Sequence, residues 1–125
     1  MSAIATKNLI AVVDDDELVR GALQRLLKAS GLGAVSFGSA EDLLKSGQLP
    51  DIACLIVDIR MPGMSGLELQ AKLKAERCRI PIIFITAHGD AKTRSQAMRY
   101  GAVKFLAKPF DNTVLLEAVH AALED

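Results

Sequence analysis

Three consecutive acids, Asp14, Asp15 and Asp16, follow the apolar run Leu9 to Val13, and a single acid, Asp58, closes the run Ile52 to Val57. A hydroxyl, Thr86, closes Ile82 to Ile85, and an ammonium, Lys108, stands just beyond Val103 to Leu106, followed by Pro109. Carboxylates gathered at one place repel one another and need a positive offset. Their oxygens suit a hard cation such as Mg²⁺, which binds through a few carboxylates, keeps several waters and leaves room for a phosphoryl oxygen. A carboxylate nucleophile, a hydroxyl donor and an ammonium around such a cation make a site for phosphoryl chemistry. Each residue alone has a plainer reading. Asp14 and Asp15 would serve as a solvated acidic turn capping a helix, Thr86 as a strand-end hydroxyl, and Lys108 as a weakly paired surface cation. Asp58 is harder to explain that way, because an acid ending an apolar strand is costly to place.

The argument for the set depends on the elements that carry it. The runs Leu9 to Val13, Ala34 to Phe37, Ile52 to Val57, Ile82 to Ile85 and Val103 to Leu106 are too short for helices and rich in Val and Ile. They read as buried strands. Between them, Val19, Ala22, Leu23, Leu26 and Leu27 recur at helical spacing, as do Leu115, Ala118, Val119, Ala122 and Leu123. Start signals support the other helices: Ser39 three before Asp42, Ser65 three before Glu68, and Asp111 ahead of the last periodic stretch. Asp90 to Tyr100 is the poorest helix, with only Ala91, Ala97 and Met98 as an apolar face. Five strands alternating with five helices predict a doubly wound α/β fold with a parallel sheet covered on both faces. In such sheets functional groups collect at the carboxyl ends of the strands, and every residue of the set lies at one.

A chain of 125 residues with half its composition apolar can bury one core, so residues 1–125 are expected to form a single domain. Acidic and basic side chains balance at fifteen each, which excludes a global field drawing the chain to nucleic acid or anionic lipid. Cys54 and Cys78 lack partners for a zinc site or disulfide framework and read as free thiols in a reducing cytosol. Residues 1–9 lack a signal peptide's apolar core, and no run reaches membrane-spanning length. A cytoplasmic protein is expected.

The stretches VVDDDE at Val12 to Glu17, VDIRMPGMSG at Val57 to Gly66, ITAHGD at Ile85 to Asp90 and KPF at Lys108 to Phe110 match one family in order and spacing. The chain resembles a response regulator receiver domain over nearly its whole length, and within that family the two-component transcriptional regulators of the FixJ-like branch. The resemblance implies the flavodoxin-like receiver fold, with strand order 2-1-3-4-5. It makes Asp58 the phosphoacceptor, phosphorylated by a sensor histidine kinase. Asp15 and Asp58 would ligate Mg²⁺ through side chains, Arg60 through its carbonyl, and Asp14 through a water. Thr86 would hydrogen-bond a phosphoryl oxygen, and Lys108 would pair first with Asp58 and then with the phosphoryl group. Pro109 would follow a cis bond. Phe105 occupies the aromatic switch position; a phenyl ring donates no hydrogen bond, so any switching rests on packing, although an ordinary core role fits it too. Asp16 stands where many relatives carry Glu and reads as a capping or supporting residue. Ala87 keeps phosphate access open, and His88 has no support as a ligand.

Phosphorylation is expected to change the surface of the fifth strand and its flanking helices, favouring a homodimer and controlling output, with transcription the first choice. That output requires a C-terminal DNA-binding domain, which these 125 residues do not contain; the domain itself is not expected to touch nucleic acid. The alternative is a stand-alone receiver acting as a phosphorelay shuttle or protein-binding switch. A nucleotide-binding flavodoxin-like protein is disfavoured, because three carboxylates stand where phosphate would want a Gly-rich turn. A phosphatase acting on an outside substrate would want an acid two residues beyond the nucleophile, where this chain has Arg60.

Overall fold

The computed structural model describes residues 9–87 and 89–124. The readings made for residues 1–8 and for His88 fall outside them. The element order is β1 (Leu9–Val13), α1 (Glu17–Ala29), β2 (Gly33–Phe37), α2 (Ala40–Lys45), a 3-10 turn (Leu49–Asp51), β3 (Ile52–Asp58), α3 (Gly66–Ala75), β4 (Ile82–Thr86), α4 (Ala91–Arg99), β5 (Lys104–Ala107) and α5 (Asn112–Glu124). The strands form one parallel sheet in the order β2-β1-β3-β4-β5. All five expected strands are present. β3 and β4 take Asp58 and Thr86 into the strand, while β5 is shifted one residue onward from the expected Val103 to Leu106.

Two cores lie on opposite faces of the sheet. Ile10 and Val12 of β1 with Cys54 and Ile56 of β3 pack against Leu23 and Leu27 of α1 and Leu115 and Val119 of α5. The alternate residues Ala11, Val13, Leu55 and Val57 pack against Leu43 of α2 and Leu69 and Leu73 of α3. This is the two-residue period of a pleated strand. Asp14 and Asp58 continue the even-numbered series of their strands, whereas Thr86 continues the Ile82 and Phe84 series facing the α2–α3–α4 side.

Local sequence fixes the helix ends. Asp16, Ser39, Ser65 and Asp90 cap α1 to α4 through side-chain oxygens that accept backbone N–H bonds, and Ser65 with Glu68 forms a reciprocal capping box. One residue past the C-cap, α1, α2, α3 and α4 each turn through a left-handed residue: Gly31, Gly47, Arg77 and Gly101. Only α3 uses a side-chain-bearing residue there, with φ of 59°. At the other end of α3, a Cβ on Gly66 would overlap the carbonyl of Asp58, so this helix starts directly against the end of β3.

α4 is held even less than its sequence implied. Ala97 is fully buried, but Ala91 is exposed and Met98 is 41% exposed, so the expected three-residue apolar face shrinks to one residue. The helix lies toward the sheet edge beside β5, where only a narrow stripe is covered. A polar anchor supplements it: the buried Gln70 of α3 donates from Nε2 to the Ala97 carbonyl at 3.0 Å.

Candidate phosphoryl site

Strand register brings the proposed groups together. Val13 pairs with Val57, Asp58 with Ile85, and Thr86 with Ala107, so the carboxyl ends of β1, β3, β4 and β5 converge. Asp14 extends the ladder past β1 through its N–H to the Phe37 carbonyl, and Lys108 extends β5 through its N–H to the Thr86 carbonyl at 2.8 Å.

The carboxylate of Asp14 is fully buried and has a partner on each oxygen: the Asp16 N–H on Oδ1 at 2.8 Å and the Lys108 ammonium on Oδ2 at 2.9 Å. Asp58 is 6% exposed and held more loosely, with Lys108 Nζ 3.2 Å from Oδ2 and the Arg60 N–H 3.4 Å from Oδ1. Lys108 therefore bridges the two acids: the expected pair with Asp58 is present, and Asp14 shares the same ammonium.

Desolvation raises the pKa of Asp58, and the charge of Asp14 raises it further, against the lowering effects of Lys108 and the Arg60 N–H. For Lys108, burial by itself would lower the pKa, but the Asp14 hydrogen bond and the charges of Asp14 and Asp58 outweigh it and the net shift is upward. The ammonium is thus kept charged between acids that repel one another.

Asp15 is exposed, and one carboxylate oxygen each from Asp14, Asp15 and Asp58 lies within 4.8 Å of the others. Hard oxygen donors at this spacing, one on the solvent side, are compatible with Mg²⁺. Asp16 points elsewhere, accepting from the N–H groups of Leu18 and Val19 as the cap of α1. Its reading as a capping residue agrees with this.

Thr86 is 1% exposed at the end of β4. Phe105 is half-buried on the α2–α3–α4 side and touches the loop after β4 at Gly89. Arg60 is exposed, and Pro109 follows a cis peptide bond after Lys108. An apolar groove of about 460 Å³ adjoins Lys108 and Pro109, lined also by Val19, Leu23 and Leu26 of α1.

Two supporting residues were not anticipated. Arg20 donates from Nη1 to the Asp14 carbonyl at 2.8 Å. Glu41 of α2 accepts the Met64 N–H at 2.9 Å, and that bond holds its carboxyl below the usual range. Glu41 thereby ties the segment between Asp58 and α3 to a separate helix. Neither has a sequence signal, because each is a side chain meeting a backbone group across the fold.

The family model for the "Response regulator receiver domain" matches residues 10–120. Nodulation protein W of Bradyrhizobium diazoefficiens is 48% identical over 121 residues, covering 96% of this chain and 53% of that protein. Transcriptional regulatory protein FixJ of Azorhizobium caulinodans is 43% identical over 114 residues, covering 91% and 54%. The chain spans about half the length of the curated relatives it matches. Among solved structures, response regulator StyR superposes with a TM-score of 0.88 at 45% identity, covering 94% of this chain and 60% of that one. The structure described as FixJ-N gives 0.84 at 40% identity and 96% coverage of both chains.

Proposed function

The chain belongs to the response regulator receiver domain family, and from that premise we propose that residues 1–125 act as one phosphorylation-driven switch with Asp58 as phosphoacceptor. The observation that carries this reading is the Lys108 bridge: Asp58 sits largely buried at a strand end, beside a cation it must share with Asp14.

In this reading a sensor histidine kinase presents a phosphohistidine, and an Asp58 oxygen attacks phosphorus in line. The P–N bond breaks as the P–O bond forms, leaving an acyl phosphate on Asp58 and an imidazole that takes up a proton. Mg²⁺, held by Asp14, Asp15, Asp58 and the Arg60 carbonyl, would supply charge neutralisation at the phosphoryl oxygens. Lys108 holds Asp58 in place beforehand and pairs with the phosphoryl group afterwards, and Thr86 donates its hydroxyl to a phosphoryl oxygen. Ala87 is exposed and small, which leaves that approach open. The apolar groove between α1 and Pro109, together with Leu18 at 82% exposure, offers the donor protein a docking surface beside the nucleophile. Hydrolysis of the acyl phosphate at the same site would reset the switch.

The added phosphoryl group carries roughly one and a half to two negative charges. It draws Thr86 and Lys108 inward, and the loop after β4 transmits that movement to Phe105 and α4. Working in the cytoplasm, the domain would control a C-terminal DNA-binding half, as expected from relatives about twice its length that are transcriptional regulators.

Incubation with acetyl phosphate and Mg²⁺, followed by mass spectrometry, tests the assignment. One added phosphate is expected on the wild type and none on Asp58→Asn. A phosphorylated Asp58→Asn would overturn the phosphoacceptor assignment.

A further inference from the structure

At the opposite end of the sheet from Asp58, a cleft of about 610 Å³ opens between the C-terminal ends of α3 and α4. Lys74, Arg77 and Arg79 line it, and no carboxylate does. In a chain with equal numbers of acids and bases, this is a local imbalance. The nearest acid in sequence, Glu76, is taken by Lys72 in a 2.9 Å ion pair. Tyr100 stands at the cleft with the Lys74 ammonium 5.5 Å from its ring centroid. The volume suits a small organic molecule.

Two features set this cleft apart from an incidental basic patch. Arg77 occupies the left-handed position after α3, with φ of 59°, where α1, α2 and α4 each use glycine. A side chain is strained there and glycine is not, so the chain accepts strain at the one helix end where the residue projects a guanidinium into a cavity wall. In addition, Gln70 lines the same cleft with its Nε2 committed to Ala97, while its buried Oε1 has no partner among the described residues. A buried acceptor of this kind calls for a donor.

We propose that this cleft is a second ligand site, separate from the phosphoryl site, which takes an organic phosphate of nucleotide size. Arg77 and Arg79 hold the phosphates through forked hydrogen bonds, which the planar guanidinium suits better than an ammonium. The ring stacks at Tyr100, and a rotation of the Gln70 amide toward the cleft would let a ligand N–H reach its buried Oε1. Because the cleft walls belong to α3 and α4, occupancy would bear on the same weakly held helix that phosphorylation moves.

The test is an amide NMR titration of the chain with ATP, with adenosine and with inorganic pyrophosphate, in EDTA so that no metal brings phosphate to Asp58. ATP is expected to bind with a dissociation constant on the order of 100 µM, shifting amides of residues 77–79 and 100–103 and slowing alkylation of Cys78, which lines the cleft. Arg77→Gly relieves backbone strain, so it should fold at least as stably while weakening ATP at least tenfold; Arg79→Ala should weaken it likewise. Asp58→Asn should leave binding unchanged, which keeps this result independent of the phosphoacceptor assignment. No shift at millimolar ATP, or binding indifferent to Arg77→Gly and Arg79→Ala, would overturn the site. Pyrophosphate binding as tightly as ATP would overturn the organic part of the ligand.

Discussion

Gly89 and the ring of Phe105 pack so closely that a Cβ on residue 89 would stand 2.9 Å from Phe105 Cε1, and 3.2 Å from the Thr86 methyl. Gly89 and the aromatic side chain of β5 therefore pack directly against each other. Gly89→Ala must displace the ring, because real Cβ atoms do not approach that closely. The aromatic NMR signals of Phe105 should shift well beyond those of Phe37 at the opposite edge of the sheet, while Asp58 remains open to acetyl phosphate. Unmoved Phe105 signals would refute the coupling.

Lys108→Ala removes the cation that bridges Asp14 and Asp58. Leaving a buried carboxylate unpaired should cost about 2–4 kcal/mol at pH 7, at or below the usual figure because the site opens to solvent at Asp15. Asp58 titrates above its ordinary value when folded, so the folded state holds that proton more tightly than the unfolded chain. Stability tied to this group therefore falls as pH rises through the folded pKa and recovers as pH drops. Urea unfolding in EDTA should show Lys108→Ala regaining stability from pH 7 toward pH 5 more than wild type does. A pH-independent loss would mean that the bridge does not neutralise both acids.

Asp15 and Asp16 are neighbours with different tasks. Asp15→Ala should weaken Mg²⁺ roughly tenfold or more, since it removes one of three carboxylates. Asp16→Ala should leave metal affinity nearly unchanged and cost about 1 kcal/mol of stability through loss of the α1 cap. Metal titration of both variants separates them, and equal metal affinities would refute the ligand assignment.

The two thiols should differ sharply. Burial pushes Cys54 up to about 12, so near pH 8 it carries almost no thiolate, whereas Cys78 is partly exposed. Ellman's reagent should find one reactive thiol in the native chain and two after denaturation. Two fast thiols in the native state would contradict the packing of β3.

Phosphorylation should favour a homodimer through β5 and α4. Met98, Tyr100 and Val103 expose 40% or more of their surface along this side, and α4 has a single buried residue to hold it. Sedimentation with and without acetyl phosphate should show monomers becoming dimers. Modified Asp58 with no association would turn attention to a tethered output domain.

Much of this was legible because strand ends are marked in sequence: an apolar β-branched run that stops at Asp, Thr or Lys locates both the element and the group it presents. Asp16 was readable as a cap from its place before α1. Long-range side-chain contacts were not. The sharing of Lys108 between Asp14 and Asp58 depends on how the ends of β1, β3 and β5 converge, and Glu41 reaching the Met64 N–H depends on where α2 lands. Met98 was misassigned to a buried face because helical spacing says which residues share a face, not how wide a stripe the neighbours cover. Arg77 carried a signal that went unread: the ends of α1, α2 and α4 offer Gly31, Gly47 and Gly101 in the same position.

From Ile10 onward in β1 and Cys54 onward in β3, odd and even residues sort into two cores, and the even count also aims Asp14 and Asp58. Loops can lengthen or shorten without touching that count. A one-residue insertion or deletion inside β1 or β3 would do otherwise, exchanging the contents of both cores and turning an acid to the far side of the sheet in a single step. A lineage carrying this fold therefore cannot move its reactive group across the sheet by gradual change in strand length. Substitution in place and remodelling of the loops are the routes left open, so new specificities should accumulate around strand-end acids whose positions are inherited with the core.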